Sequence, residues 1–390
     1  MKITHVINAL IKGGGERVAV DLANQAVDDG HEVTVIVGWQ VDPAILRNEL
    51  HSNIKVVHIS LLKTSNLRLY LNVFIWLCRN RFWLAMQDII HCHLTFGAVF
   101  GSMVVFLRTF FLVRSPAVIE TYHSVGMPVS PLHHWSRGKM ANFFDAFVLM
   151  AKDDYWNKYI RSHPNLLTAT IVNGTSFKRL SNADPTFGYS YKQSIGIPND
   201  CSFVVGTVSM LRADRKPWAF LPVFAEISRV LGPNVHFVIA GGGAEQGRLK
   251  MLISEYGLDK QIHLPGIAID LRYPLSAIDL FIALNVGEVT GVAALEAAYL
   301  KLPVLAIQMN QKHQKNSEDW VWSSTNPYEV AAKSIKLLCN SEARLLLAKK
   351  QAEVVRSQYT VEKMSQKYYE IYNQAIQKVR KNTYNEKNNN

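Results

Sequence analysis

The amino-acid sequence predicts an α/β protein made of two doubly wound parallel sheets. Apolar runs of strand length alternate with helical patterns in both halves of the chain, and several of these runs end in glycine turns. A length of 390 residues favours two domains. Because strands joined by helical crossovers run parallel, we expect a ligand site at the carboxyl ends of each set of strands.

The first half opens with a strand, a glycine turn and a helix. The apolar run Ile3–Leu10 predicts the strand, and Gly14 and Gly15 belong to the turn that follows it. Helical spacing then continues to Gly30, which is typical of a residue that ends a helix. The turn lacks the G-x-G-x-x-G pattern of dinucleotide sites, so a tight turn and the close approach of a ligand are equally open interpretations.

Histidines stand at the ends of two later strands of the first half. Apolar runs predict strands at Asp88–His93, Ala117–His123 and Asp145–Met150. His123 is a candidate site residue because open α/β sheets bind ligands at strand ends. His91 and His93 resemble a metal-binding pair, but the sequence shows no third ligand at suitable spacing. A purely structural role is the alternative for all three.

The second half repeats the alternation of strands and helices. Predicted strands occupy Phe203–Ser209, Val235–Ala240, His263–Gly266, Ile278–Leu284 and Leu302–Ala306. Arg212, Arg215 and Lys216 follow the first of these strands, and a triple-glycine turn that ends at Gly243 follows the second. The basic cluster is either a phosphate site or a solvated turn.

The stretch from Gly287 to Leu300 carries the strongest functional signal. The helix predicted from Val292 onward is apolar on nearly every face, so Glu296 within it should be buried and should need hydrogen-bond donors. A helix N-terminus offers unpaired backbone N–H groups and a positive dipole end, which favour an anion. A phosphate on those amides and a polyhydroxyl group on the carboxylate together describe a nucleotide sugar.

Glu288 and Glu296, with seven residues between them, resemble the E-x7-E segment of retaining glycosyltransferases of family 4. The resemblance covers residues 3–375 and implies the GT-B fold, in which two Rossmann-like domains face each other across a cleft. It also implies that Glu288 contacts the donor sugar and that Glu296 holds the ribose. The amides of Gly291 and Val292 would face the pyrophosphate.

The same resemblance implies roles for residues outside this segment. A family histidine at the position of His123 points at the donor sugar, and the loop of Gly14 and Gly15 lies beside donor and acceptor. An arginine and a lysine hold the pyrophosphate, which Arg212 together with Lys216 or Arg215 would do here. The catalytic candidates are therefore His123 and Glu288. The donor-binding candidates are Gly14, Gly15, Arg212, Arg215, Lys216, Gly243, Gly291, Val292 and Glu296.

The chain departs from the family pattern at two places. Met210 occupies the position of the family arginine, and Val289-Thr290-Gly291 replaces the family's Gly-Phe-Gly. These departures favour one alternative, a catalytically silent module that binds a nucleotide sugar. A second alternative is a nucleotide-sugar epimerase or phosphorylase on the same fold. The donor sugar, the acceptor and the oligomeric state are not determined by the sequence.

Chain organisation follows from the composition along the sequence. Residues 181–202 are polar and interrupted by proline and glycine, which predicts a linker. The last residues are polar enough to predict disorder. The predicted segments are an N-terminal Rossmann-like domain on the acceptor side (1–180), the linker (181–202), a donor-side domain (203–360), a helix that packs back across the domains (361–380) and a disordered tail (381–390).

The predicted function is transfer of a sugar, with retention, from a nucleotide-sugar donor to a glycan or lipid-linked acceptor. The resemblance places this reaction in bacterial surface polysaccharide or lipopolysaccharide synthesis. No Asp-x-Asp pair is present, so we expect neither a metal clamp nor another cofactor. A net charge of +11 fits anionic partners such as phosphates or a membrane surface, and no nucleic-acid motif accompanies it.

The predicted location is cytoplasmic, with peripheral attachment to the inner face of the plasma membrane. Four scattered cysteines without a C-x-x-C motif fit a reducing compartment, and no signal peptide precedes the first strand. The apolar run Phe96–Val113 contains glycines and follows a strand, which favours a buried helix over a membrane span. Basic and aromatic residues nearby suit a membrane interface, with a buried helix and capped basic ends as the alternative. They are Arg79, Arg81, Phe82, Trp83, Phe106, Arg108, Phe110, Phe111 and Arg114.

Overall fold

The structure is a computed structural model that describes residues 1–11, 13–59, 66–111, 115–123, 130–151, 153–285, 290–309 and 320–388. The described residues form two compact units. The first contains those of Met1–Val125, Val129–Gly174 and Val361–Asn390, and the second contains those of Thr175–Thr360.

Strands and helices alternate along most of the described chain. The strands are β1 (Lys2–Leu10), β2 (Glu32–Val41), β3 (Lys55–His58), β4 (Ile89–His93), β5 (Ala117–Tyr122), β6 (Ala146–Leu149), β7 (Leu167–Thr170), β8 (Phe203–Val208), β9 (Val235–Ala240), β10 (Ile262–Gly266), β11 (Leu280–Asn285), β12 (Val304–Gln308) and β13 (Trp322–Ser324). The helices are α1 (Gly14–Asp28), α2 (Pro43–Asn48), α3 (Asn66–Arg79), α4 (Arg81–Ala85), α5 (Leu94–Phe111), α6 (Pro131–Ala141), α7 (Asp154–Ser162), α8 (Pro185–Ser194), α9 (Leu221–Leu231), α10 (Gln246–Glu255), α11 (Arg272–Ala277), α12 (Val292–Tyr299), α13 (Pro327–Leu338), α14 (Ser341–Gln358) and α15 (Val361–Asn388).

Each unit is built on one parallel sheet. The first has the order β3-β2-β1-β4-β5-β6-β7, and the second has the order β10-β9-β8-β11-β12-β13. In both sheets the order reverses direction once, between β1 and β4 and between β8 and β11. Ligands in doubly wound sheets bind outside the carboxyl ends of strands at such a switch point. The fold therefore points to one candidate region in each unit, and it confirms the predicted pair of parallel sheets.

The apolar sequence runs form the cores that hold these strands. In the first unit, Val73 and Leu77 of α3 and Phe100 of α5 pack in one buried cluster with β4. In the second unit, Phe224 of α9 stacks on Phe237 of β9 with 4.5 Å between ring centroids. The sequence predicts a buried helix at the apolar run Phe96–Val113, and the described part of this run lies in α5, where Phe100 is buried and Phe106 is exposed. None of the described helices is long and apolar enough to cross a membrane.

Two predicted segments differ from the structure. Residues 185–194 of the predicted linker form α8, which packs on α11 so closely that a Cβ at Gly188 would lie 2.2 Å from the Ser276 carbonyl oxygen. Pro185 therefore marks the start of a helix, since Asp184 caps α8 and Pro185 occupies its first turn. Gly188 marks the close contact between α8 and α11. The tail predicted to be disordered continues α15 to Asn388, since extending a formed helix costs less than nucleating one.

Candidate active site

In the first unit, His123 lies beside Gly15 at the switch point; Gly14 and Gly15, predicted to belong to a turn, form the start of α1. A Cβ added at Gly15 would lie 3.5 Å from His123 Nδ1 and 3.1 Å from Leu94 Cδ2. A Cβ added at Gly14 would meet nothing within 4 Å. The structure thus brings together Gly15 and His123, two predicted site residues that are distant in the sequence. A side chain at position 15 would crowd His123 and Leu94, whereas one at position 14 would not.

Behind His123 lies a row of buried imidazoles that the sequence shows only in part. His5 Nδ1 lies 3.1 Å from His93 Nε2, and His93 Nδ1 lies 3.1 Å from His123 Nε2. His5 and His91 pair in register between β1 and β4. The nitrogens of His5, His91 and His93 lie within 4.8 Å of one another, so the third imidazole that the sequence lacked is supplied by β1.

Burial makes these histidines neutral bases. It lowers the pKa of His5 to about 3 and that of His123 to about 4. Burial, with help from the neighbouring imidazoles, lowers the pKa of His91 and of His93 well below the ordinary value. At pH 7 each ring therefore carries one proton, on one of its two nitrogens.

His91 belongs to a separate set of hydrogen bonds that ties β4 and β5 to α15. Its Nε2 lies 2.7 Å from Thr121 Oγ1, and its Nδ1 lies 2.7 Å from the hydroxyl oxygen of Tyr372. Thr121 Oγ1 also lies 2.9 Å from the hydroxyl of Tyr368. Both ring nitrogens of His91 are thus satisfied by hydroxyl groups, which gives His91 a structural role.

In the second unit, α12 presents an exposed N-terminus beside the switch point. Gly291 is its N-cap, and no side-chain cap satisfies the first amides among the described residues. Among the described residues, a Cβ at Gly291 would meet nothing within 4 Å. Val292 starts the helix and is half-buried. Amides at a helix N-terminus without a side-chain cap suit an anionic group.

Glu296 is buried in α12, as the sequence predicts, and its donor is an arginine that the sequence analysis did not identify. The residue is 2% exposed, and Arg179 Nη2 donates a hydrogen bond to Glu296 Oε1. Arg179 also donates to the Ser176 carbonyl oxygen at 2.9 Å and to Thr175 Oγ1 at 3.1 Å. Arg179 lies 117 residues away in a short 3-10 turn, so no local spacing marks it. A carboxylate has further acceptor sites after one such bond.

The predicted basic cluster divides into paired and projecting residues. Arg212 makes two hydrogen bonds to the Asp214 carboxylate, at 2.9 and 3.0 Å. Arg215 and Lys216 are exposed. Lys216 has φ 48° and ψ 58°, a left-handed conformation that is uncommon for a residue with a side chain. The structure therefore favours Arg215 and Lys216 over Arg212 as the cations available to a ligand.

The triple-glycine turn after β9 needs glycine because its backbone contacts the backbone of the loop after β8. A Cβ at Gly243 would lie 2.2 Å from the Leu211 carbonyl oxygen, and the amide of Leu211 donates to the carbonyl of Gly242 at 2.9 Å. The two loops therefore approach backbone to backbone. Gly243 sets the path of the basic loop as well as being a predicted donor-binding residue.

These second-unit residues converge because β9, β8 and β11 are neighbours in the sheet. Their carboxyl ends carry the Gly243 turn, the loop of Arg215 and Lys216, and the segment that leads to α12. Glu288, the other residue of the predicted pair, lies outside the described residues. The absence of a metal or other cofactor stays a prediction.

Family models match both halves of the chain. Residues 192–354 match the family described as glycosyl transferases group 1. Residues 12–154 match the family described as glycosyltransferase family 4. The two matches correspond to the two units of the structure.

The similarity to known proteins extends over nearly the whole chain. The O-antigen biosynthesis glycosyltransferase WclY of Escherichia coli is 20% identical over 392 residues, with 97% of this chain and 100% of WclY covered. Anabaena HepE in complex with UDP and glucose superposes with a TM-score of 0.76 at 17% identity, covering 95% of this chain and 98% of HepE. WaaG, a glycosyltransferase involved in lipopolysaccharide biosynthesis, superposes with a TM-score of 0.66 at 15% identity, covering 93% of this chain and 98% of WaaG. With two parallel sheets and a family match on each half, the chain belongs to the group 1 glycosyltransferases and has the GT-B fold.

Proposed function

We propose that this glycosyltransferase takes its sugar from a nucleotide-sugar donor and transfers it with retention to a glycan or lipid-linked acceptor. The observation that carries the proposal is the uncapped N-terminus of α12 beside the Glu296–Arg179 pair. Amides for a phosphate and a carboxylate for a ribose lie on one helix, one turn apart. Structures of HepE with UDP and glucose, and with UDP-glucose, support the same ligand class.

Each end of the donor has its own set of proposed contacts. Glu296, oriented by Arg179, accepts hydrogen bonds from the ribose hydroxyls. The amides of Gly291 and Val292, with Arg215 and Lys216, hold the pyrophosphate. These groups stabilise the negative charge that the leaving nucleoside diphosphate gains as the glycosidic bond breaks, so no metal clamp is needed.

As the resemblance implies, we propose that His123 and Gly15 contact the donor sugar, and we propose the same role for Glu288. A neutral His123 can exchange a hydrogen bond with a sugar hydroxyl, and Gly15 keeps the space beside its ring open. Glu288 follows β11 and precedes α12, as the sugar-contacting glutamate of the resemblance does. The proposed acceptor belongs to surface polysaccharide or lipopolysaccharide synthesis, as for WclY and WaaG.

Titration calorimetry tests this function directly. Comparing the affinities for UDP, GDP and ADP identifies the nucleotide that binds. Comparing the corresponding nucleotide sugars then identifies the donor. Glu288→Ala should leave the affinity for the nucleoside diphosphate nearly unchanged and lower the affinity for the complete nucleotide sugar. Glu296→Gln should lower both affinities. If neither single variant changes either affinity, this helix is not the donor site.

Product analysis then separates the remaining enzyme classes. A glycosyltransferase consumes the donor only when an acceptor is present, and the anomeric configuration of the product reports retention. An epimerase would convert the donor without any acceptor, and a phosphorylase would require phosphate. A silent binding module would bind the donor without turnover under every condition.

We also propose that the first unit docks on the inner face of the plasma membrane. Leu71, Phe74 and Ile75 of α3, Phe82 of α4 and Phe106 of α5 are all exposed, and we call this set the α3–α5 apolar face. Arg68, Arg79 and Arg81 are exposed on the same elements. Apolar anchors with basic neighbours suit an anionic bilayer surface.

The membrane patch predicted from the sequence needs one correction. Arg108 is a basic member of the predicted patch, but its guanidinium donates to both oxygens of Asp145, at 2.9 and 2.6 Å. It also donates to the Pro116 carbonyl oxygen at 2.8 Å. Its charge is thus neutralised inside the unit. The side chains of Phe110 and Phe111, and all of Arg114, lie outside the described residues.

A further inference from the structure

We propose that His5 and His93 fix the tautomer of His123, so that His123 presents an Nδ1–H donor beside Gly15. His93 lies between the other two rings, 3.1 Å from His5 Nδ1 through its Nε2 and 3.1 Å from His123 Nε2 through its Nδ1. His5 is 1% exposed and His93 is fully buried. A row of three imidazoles linked in this way has only two arrangements of its protons.

The two arrangements follow from the single proton on each neutral ring. If His123 donates from Nε2, the Nδ1 of His93 must accept, and His93 must then donate from Nε2 to His5 Nδ1. The proton of His5 is forced onto its own Nε2 in that case. If His5 instead donates from Nδ1, every bond reverses and the proton of His123 is placed on Nδ1.

The buried end of the row decides between these arrangements. His5 Nε2 is enclosed and has no hydrogen-bond partner among the described residues. The first arrangement would leave an N–H group orphaned there, and buried N–H groups without a partner are rare. The second leaves only a lone pair at the enclosed end, so we assign an N–H to Nδ1 of His5, His93 and His123.

The second unit contains an internal reference for this assignment. His236 Nδ1 lies 3.0 Å from His263 Nε2, and His263 Nδ1 lies 3.0 Å from the Ile195 carbonyl oxygen. A carbonyl only accepts, so His263 must carry its proton on Nδ1, and His236 must donate from Nδ1. Neither residue has a role in the proposed site.

The consequence for the reaction rests on the proposed function. A fixed Nδ1–H makes His123 a hydrogen-bond donor toward a sugar hydroxyl, without rotation of its ring when the sugar arrives. His93 is then a positioning residue, which contacts the sugar only through His123. Loss of this positioning should lower the affinity for the complete nucleotide-sugar donor. The affinity for the nucleoside diphosphate without its sugar should not change.

Nitrogen-15 NMR of the histidine rings in the full chain tests the tautomer without any activity assay. We expect His5, His93 and His123 to show a protonated Nδ1 and a bare Nε2, the pattern that His263 must show. A protonated Nε2 on His123 in the native chain overturns the proposal. A shift of the His5 and His93 signals with one equivalent of Zn²⁺ also overturns it, because coordination would use the nitrogens that link the row.

Paired variants then test the dependence on His93. His93→Leu removes the donor to His123 and should give a mixture of both His123 tautomers, whereas His93→Asn keeps an N–H near the former Nδ1 and should restore one. UDP-glucose affinity should fall about two- to tenfold in His93→Leu and recover in His93→Asn. His236→Asn is the matched control in the second unit. A single unchanged His123 tautomer in His93→Leu would exclude the positioning role, and if UDP-glucose does not bind the native chain, the NMR result still stands alone.

Discussion

At the scale of single residues, the pairing of Glu296 with Arg179 makes stability and nucleotide binding separable. Glu296→Ala removes the carboxylate that accepts a hydrogen bond from the Arg179 guanidinium, whose side chain is 25% exposed. We expect the free energy of unfolding to fall by about 2–3 kcal/mol. Nucleoside diphosphate affinity should fall roughly ten- to a hundredfold, because charge-assisted bonds to the ribose are lost.

The double variant Arg179→Met, Glu296→Leu is the control for this prediction. Two apolar side chains of similar volume should restore most of the stability, since replacing a buried ion pair by apolar groups is often neutral. Urea denaturation measures the first effect and calorimetry the second. Nucleotide affinity should stay low in the double variant, and native affinity there would mean that Glu296 has only a structural role.

Gly243 allows a second test at this scale. Gly243→Ala places a Cβ 2.2 Å from the Leu211 carbonyl oxygen, so the loops after β8 and β9 must separate. We expect lower stability, together with weaker nucleotide binding because the loop of Arg215 and Lys216 moves.

Gly247→Ala is the matched control for Gly243→Ala. Gly247 lies in α10, where a Cβ meets nothing within 4 Å, and the change should stabilise the protein by about 0.5–1 kcal/mol. Denaturation midpoints and UDP titrations of both variants report the comparison. Equal stability of the two variants would show that the loop contact tolerates a side chain.

At the scale of elements, the imidazoles of β1 and β4 predict a dependence of stability on pH. Burial lowers the pKa of His5 to about 3, while the unfolded chain has the ordinary value of 6.5. Below pH 6.5 the unfolded state therefore binds more protons than the folded state, so the free energy of unfolding falls as the pH falls. Each such histidine contributes up to about 1.4 kcal/mol per pH unit in this range.

Urea denaturation at pH 5.0, 6.0 and 7.5 measures this slope. His5→Asn should flatten it, whatever its effect on stability at pH 7.5. An identical slope in His5→Asn and the native chain would show that folding does not change the pKa of His5.

The elements also show which parts of the fold a sequence can predict. Central strands such as β6, β11 and β12 are buried on both faces, and their sequences are almost entirely apolar. The edge strand β3 is half exposed and only four residues long, and β13 has three, so neither gives a distinct run. The prediction succeeded where burial determines composition and missed the short edge strands β3 and β13, although it included the edge strand β10.

The same limit applies to the candidate site. Residues that follow strands, such as Gly15, His123 and Lys216, could be selected because parallel strands end at the same edge of a sheet. Arg179 and His5 could not, since only the tertiary fold brings them to Glu296 and His93. Their identification required a partner distant in the sequence, and local patterns give no such information.

At the scale of the whole molecule, the expected source of positive charge at the pyrophosphate is the protein itself. The chain carries a net charge of +11 and has no Asp-x-Asp pair. We therefore expect sugar transfer to persist in excess EDTA, and the Lys216→Met variant to lower turnover because it removes one cation from the leaving group. Activity that EDTA abolishes and Mg²⁺ or Mn²⁺ restores would establish a metal site instead.

The α3–α5 apolar face predicts binding to anionic membranes through two separable contributions, one from apolar side chains and one from basic side chains. Phe74→Ser with Phe82→Ser removes two apolar anchors, and burial of each aromatic ring in a bilayer contributes about 1.5–3 kcal/mol. Liposome sedimentation of this variant should fall more than about tenfold at every salt concentration. Arg79→Ser with Arg81→Ser should reduce sedimentation at low salt only, because each basic residue contributes about 1 kcal/mol through an interaction that salt screens.

A control for this prediction lies on the second unit. Leu345 on α14 is 68% exposed, so Leu345→Ser removes an apolar side chain of comparable exposure outside the proposed face. It should sediment with phosphatidylglycerol liposomes as the native chain does. If both double variants also sediment like the native chain, the face does not contact lipid. If the native chain fails to sediment at low salt, the α3–α5 apolar face does not bind an anionic membrane, and a protein partner would be the alternative reason for its exposure.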